Sequence, residues 1–174
     1  MRRLLTAIFL CGTLAWAGAQ AALSPGFDVF RLGMSLADLK SALKNNSFFL
    51  YSGEPDVSLL TKPNTNLIEV PGITFFTRGV FQVVNGKLYS MSFDLDRDHV
   101  DYFGMYTALT KKYGDPTALD PASARWENAS VRLSLEKPLT VKYIDMKVFQ
   151  SLQNQGRAEK AAETLTREKF LENF

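Results

Sequence analysis

Apolar and polar positions alternate most clearly over residues 73–95, "ITFFTRGVFQVVNGKLYSMSFDL". Period-2 alternation on both sides of Asn85-Gly86 predicts a β-hairpin. A two-residue Asn-Gly turn pairs odd with even residues and would set Phe93 beside Arg78. A three-residue loop ending at Gly86, with a bulge, pairs odd with odd. It gathers Ile73, Phe75, Thr77, Gly79, Phe81, Val83, Tyr89, Met91, Phe93 and Leu95 on one face. A one-residue slip turns the wrong set inward, so the second register is expected.

Helical spacing brackets this hairpin. In "GMSLADLKSALKNN", Leu36, Leu39 and Leu43 fall at i, i+3, i+7, Ser35 is a natural N-cap and Asp38 completes a capping box. "SFFLYS" predicts a strand, and two short edge strands are expected around "VSLL" and "NLIEV", among Pro55, Pro63 and Pro71. A helix is expected from about His99 to Tyr113, with Tyr102, Met105, Tyr106, Leu109 and Tyr113 as its apolar stripe. Gly114 and Pro116 end it. In "ARWENASVRLSLEKPLTVKYIDM", Val131, Leu133 and Leu135, then Leu139, Val141 and Tyr143, alternate with polar residues. Asn128-Ala129 and "EKP" supply the turns. A polar helix is expected over residues 154–174, with Thr166 capping a last segment that carries Phe170, Leu171 and Phe174. The first and second helices each stand beside strand pairs, a faint internal echo. The fold class expected is α+β: one domain, a mostly antiparallel sheet with helices on one face.

The N-terminus sets the domain limits. Arg2-Arg3, the apolar run Leu4–Trp16 and Ala19/Ala21 at the −3 and −1 positions form the pattern of a secretory signal peptide, cleaved after Ala21. The run is too short to span a bilayer, and no later segment is long and apolar enough. Cys11 offers a lipid anchor as the alternative, but Leu10 stands where such signals need a small residue, and the apolar run continues past it. The expected organisation is residues 1–21 as the leader and 22–174 as the domain, in the periplasm or at the envelope surface. Of 20 Lys+Arg, Arg2 and Arg3 leave with the leader; the remainder equals the 18 Asp+Glu, which gives no basic footprint for nucleic acid. The single cysteine leaves too, so the domain relies on its core rather than on disulfides.

Candidate chemistry is sparse. "FDLDRDH" (93–99) holds three Asp and the only histidine, but reads as a strand end followed by a helix cap from Asp96 or Asp98. As a calcium loop it has His99 where Gly is needed and Met105 where Glu is needed. No nucleophile motif, P-loop or dinucleotide fingerprint is present. Ser41–Lys44 and Ser134–Lys137 both match the loose S-x-x-K pattern without its companion motifs. No catalytic residue, metal ligand or cofactor is therefore assigned. Binding remains. A hydrophobic groove lined by Phe81, Phe93 and Tyr106 would suit a carrier of lipid or another apolar ligand. A closed core would favour an envelope-protein binder that makes contact through an exposed sheet edge or through Phe170, Leu171 and Phe174. A carboxylate-based hydrolase ranks third.

The stretches "DYFGMYTALTKKYGDP" and "VRLSLEKPLTVKYID" carry a resemblance to a group of exported proteins of spirochaete-type bacteria, over most of the chain after the leader. It implies location without function. The helix-then-sheet order behind "GMS" is similar, more loosely, to small periplasmic α+β modules that assist envelope assembly or inhibit enzymes, which implies an interaction role. Neither assigns a site residue.

Overall fold

In the computed structural model, residues 22–53 and 65–171 are described. The chain opens with a small hairpin, β1 (Gly26–Phe27) and β2 (Phe30–Arg31). Helix α1 (Leu36–Lys44) follows, capped as its sequence requires: Ser35 Oγ accepts from the Asp38 amide at 3.1 Å and donates to the Asp38 carboxylate at 2.6 Å. Leu39 and Leu43 are buried. The residues before it are tied to the later hairpin by Gly33 N–H to Leu88 O (2.7 Å) and Leu88 N–H to Met34 O (2.9 Å).

"SFFLYS" is not a strand. Phe49 makes only an isolated bridge to Gly72, with Leu50 N–H bonded to Pro71 O at 2.9 Å. The reciprocal bond would need an N–H from Pro71, which has none, so the ladder stops there. Strand β3 (Thr65–Pro71) is the expected edge strand. "VSLL" lies outside the described residues, as do the leader and Phe174.

Strands β4 (Phe76–Val84) and β5 (Lys87–Leu95) form the hairpin. The turn is the two-residue one: Asn85 (φ 51°) and Gly86 (φ 74°) both lie in the left-handed region, and Val84 pairs with Lys87. The expected three-residue loop is thus corrected, although odd residues still face odd ones. The extra residue is Tyr89, which the ladder skips, so that Gln82 pairs with Ser90 and Phe81 with Met91. A second irregularity skips Thr77 and turns Phe76 inward while Phe75 stays 48% exposed. Asn-Gly favours the tight turn and the apolar face demands odd-with-odd pairing; the bulges satisfy both.

Helix α2 (Tyr102–Tyr113) starts three residues later than expected. Its N-cap is Asp101, accepting from Gly104 N–H at 2.8 Å, not Asp96 or Asp98. Gly114 ends it at φ 81°, and its carbonyl accepts from Trp126 Nε1 at 2.8 Å. Strands β6 (Ala118–Leu119), β7 (Ser123–Glu127), β8 (Val131–Glu136) and β9 (Thr140–Asp145) follow. Helix α3 (Met146–Leu171) begins directly after β9, eight residues earlier than predicted. Thr166 caps nothing; its hydroxyl donates to Ala162 O inside one continuous helix.

One seven-stranded antiparallel sheet results, in the order β3-β4-β5-β9-β8-β7-β6. The echo in the sequence has a counterpart: helix then three strands, α1-β3-β4-β5 and α2-β7-β8-β9, the second with the two-residue β6 added before β7, joined antiparallel through β5 and β9. Residues from α1, α2 and the inner sheet face share one core. Its densest part is a group of rings, Phe27, Phe30, Phe49, Phe76, Phe81 and Phe93, with centroids 5.0–6.4 Å apart. Edge and tilted contacts at such spacing add to the burial of each ring. The first turns of α3 meet the opposite sheet face, where Phe149 carries the Arg132 guanidinium on its ring at 5.0 Å. From Arg157 to Lys169 every residue of α3 is exposed.

Candidate interaction surface

Phe81 and Phe93 are 0% and 1% exposed, enclosed by other phenylalanines, so neither lines an open groove. Tyr106 sits apart from them on α2, half-buried, with its ring 6.2 Å from Trp126. The three expected lining residues are not brought together around a space. Of the expected contacts at the C-terminus, Leu171 is 56% exposed at the end of α3; nothing is described of the Phe170 side chain.

A surface groove occurs elsewhere. The first turns of α2 present Tyr102, Phe103 and Tyr106, and the end of β6 and the β6–β7 connection face them with Leu119 and Pro121 across about 530 Å³. Phe103 is 75% exposed and Leu119 65%. Large apolar side chains left in water beside one another mark interaction sites on monomeric domains. The walls are held firmly. Tyr102 donates to Leu135 O at 3.2 Å, and burial pushes its phenol pKa up. Asp120 anchors the facing loop by accepting from Ser123 Oγ and from the amides of Ala122 and Ser123, all at 2.8 Å. These bonds, the Ser123 hydroxyl first, hold its carboxyl below the usual range. Lys137 Nζ stands 5.8 Å from the centre of the Tyr102 ring and sets a cation at one rim.

Phe103 falls off the i, i+3, i+4 stripe of its helix, so the stripe alone does not point to it. That departure was itself the signal: an apolar residue on the polar side of an amphipathic helix has no core to enter.

"FDLDRDH" resolves into separate roles. Asp94 accepts from Arg78 at 2.7 Å and from Thr140 Oγ1 at 2.7 Å, on the outer face of β5. Glu69 shares the same arginine at 3.2 Å. Asp96 closes a turn by accepting from Asp98 N–H at 2.8 Å, which lowers its pKa, with His99 Nδ1 3.4 Å away. A general acid needs a carboxyl shifted upward, the opposite of Asp96. Among the described residues no group of three or more His, Cys, Asp or Glu is placed to hold a metal ion, and no helix is long and apolar enough to cross a membrane.

No curated protein and no solved structure matches the chain. A family model does, over residues 25–155. The match takes in both helix-plus-three-strand units and stops within α3, just before that helix becomes exposed on all sides. That family is named after a protein of Treponema, a spirochaete, in keeping with the resemblance carried by the α2 and β8–β9 sequences. Three quarters of the chain lie within the match, and the protein belongs to the TP0088 domain family.

Proposed function

We propose that the protein is a non-enzymatic binding module of the periplasm or envelope, and that it takes hold of another protein through the groove of Tyr102, Phe103, Tyr106, Leu119 and Pro121. The observation that carries this is the exposure of Phe103 and Leu119 on facing walls, while the phenylalanine core is closed. Covering such side chains returns roughly 25 cal/mol for each Å² of apolar surface removed from water. Lys137 and Asp120 at the rim give a partner orientation as well as contact. The leader pattern of residues 1–21 supports export, and the absence of cysteine after Cys11 fits a fold that matures without disulfide chemistry. A carrier of lipid or another apolar ligand would need room in the core, and the burial of Phe81 and Phe93 gives that reading no support.

Native mass spectrometry of the protein purified from its own cells tests the proposal. It predicts a chain lacking residues 1–21 and, after mild cross-linking, a second polypeptide. A bound mass of lipid size, or a cross-linked sample that holds only the bare chain, would contradict it.

A further inference from the structure

The outer face of the sheet carries a second feature, on the side away from α2. Arg125 of β7, Ser134 of β8 and Lys142 of β9 are direct cross-strand partners in one transverse row. Strands lie about 4.8 Å apart, so the two cations flank the serine with their Cα atoms roughly 10 Å from each other. Ser134 is small and only 5% exposed, which leaves a floor over which both long side chains can lean. A cleft of about 340 Å³ stands above it.

The charges in this cleft do not cancel. Arg132 is taken by Glu127 at 2.5 Å and stacks on Phe149. Among the described residues neither Arg125 nor Lys142 is held in a salt bridge. Asp120 feels the charge of Arg125 but directs its hydrogen bonds to the amides and hydroxyl of its own loop. Glu136, which accepts from Ser134 Oγ at 2.7 Å, is the one acid in the cleft lining. Two cations against one carboxylate leave room for a single negative charge. Ile144 of the neighbouring row and Phe149 of α3 supply an apolar wall.

We infer that this cleft binds a carboxylate attached to an apolar group, its oxygens between Arg125 and Lys142 and its apolar part against Ile144 and Phe149. Such a group is offered by a free small acid or by the carboxyl end of a polypeptide. Charge-assisted hydrogen bonds from two cations give the recognition, and the wall gives the preference for an apolar neighbour.

The test is an NMR titration of the isotopically labelled protein with N-acetylphenylalanine, its carboxamide and 3-phenylpropionate. Both acids are expected to shift the amide signals of Arg125, Ser134 and Lys142 by about 10 mM, and the carboxamide is not. Tighter binding of N-acetylphenylalanine assigns the site to a chain end, and tighter binding of 3-phenylpropionate to a free acid. Arg125→Gln and Lys142→Gln should each weaken binding about tenfold or more, with the remaining spectrum unchanged to show an intact fold. Equal shifts from the carboxamide, unaltered binding in both variants, or no shift at all would overturn the inference. Because the cleft and the α2 groove share no residue apart from their common sheet, failure of either reading leaves the other standing.

Discussion

Truncating Phe93 to alanine probes whether the core is closed. Phe93 is 1% exposed, and its ring lies 5.3–6.4 Å from those of Phe27, Phe30, Phe49, Phe76 and Phe81. Removing a buried phenyl ring costs about 3–5 kcal/mol, made up of lost transfer free energy and the cavity that remains. Five aromatic neighbours place Phe93→Ala toward the upper end, because edge contacts are lost along with area. Those neighbours are themselves wedged between α1, β1–β2 and the sheet, so collapse into the gap is limited. We expect a loss of about 4 kcal/mol and a fall in Tm of roughly 10 °C for a domain of this size. Urea unfolding followed by the fluorescence of buried Trp126 measures it, with the m-value unchanged. A loss below about 1.5 kcal/mol would mean instead that Phe93 faces space already filled by water or ligand, as a carrier requires.

Two further outcomes follow from the same core. A Cβ at Gly79 would meet Phe49 at 2.9 Å and Phe81 at 3.1 Å, so Gly79→Ala should destabilise by about 1–3 kcal/mol in the same urea assay despite the better strand propensity of alanine. Burial, and next the neighbouring Tyr113, raise the pKa of the Tyr143 phenol. Its folded value exceeds its unfolded value near 10, so the stabilisation is present below about pH 10 and is lost as pH rises through the folded value. Tyr143→Phe should therefore flatten the decline in Tm between about pH 10 and pH 12, and an unchanged slope would show that another group sets it.

Much of the fold was legible because one signal dominated each element. Ser35 and Asp38 fixed the start of α1, Gly114 the end of α2, and the alternation of Val131–Leu135 and Leu139–Tyr143 the inner faces of β8 and β9. Where two signals competed, the sequence showed the conflict without its resolution. Asn85-Gly86 asked for one register and Phe81, Met91 and Phe93 for another; the bulge at Tyr89 reconciles them at a place no local rule specifies. Asp96, Asp98 and Asp101 all precede α2, and only three-dimensional placement selected Asp101. The start of α3 was hidden because the helix follows β9 without a loop, and its Phe149 meets Arg132 on the outer sheet face. The site was least legible. Phe103 and Leu119 are 16 residues apart and face one another only because β6 returns alongside α2. Arg125, Ser134 and Lys142 form a row only through cross-strand register.

Binding of a partner protein in the proposed α2 groove is best read by photo-cross-linking in intact producing cells. p-Benzoylphenylalanine is placed at Phe103 and, as a control, at exposed Lys87 on the distant hairpin. We expect one discrete adduct from position 103, none from position 87, and loss of the adduct when Leu119→Glu is added. Equal labelling from both positions, or an adduct at 103 that survives Leu119→Glu, would contradict it.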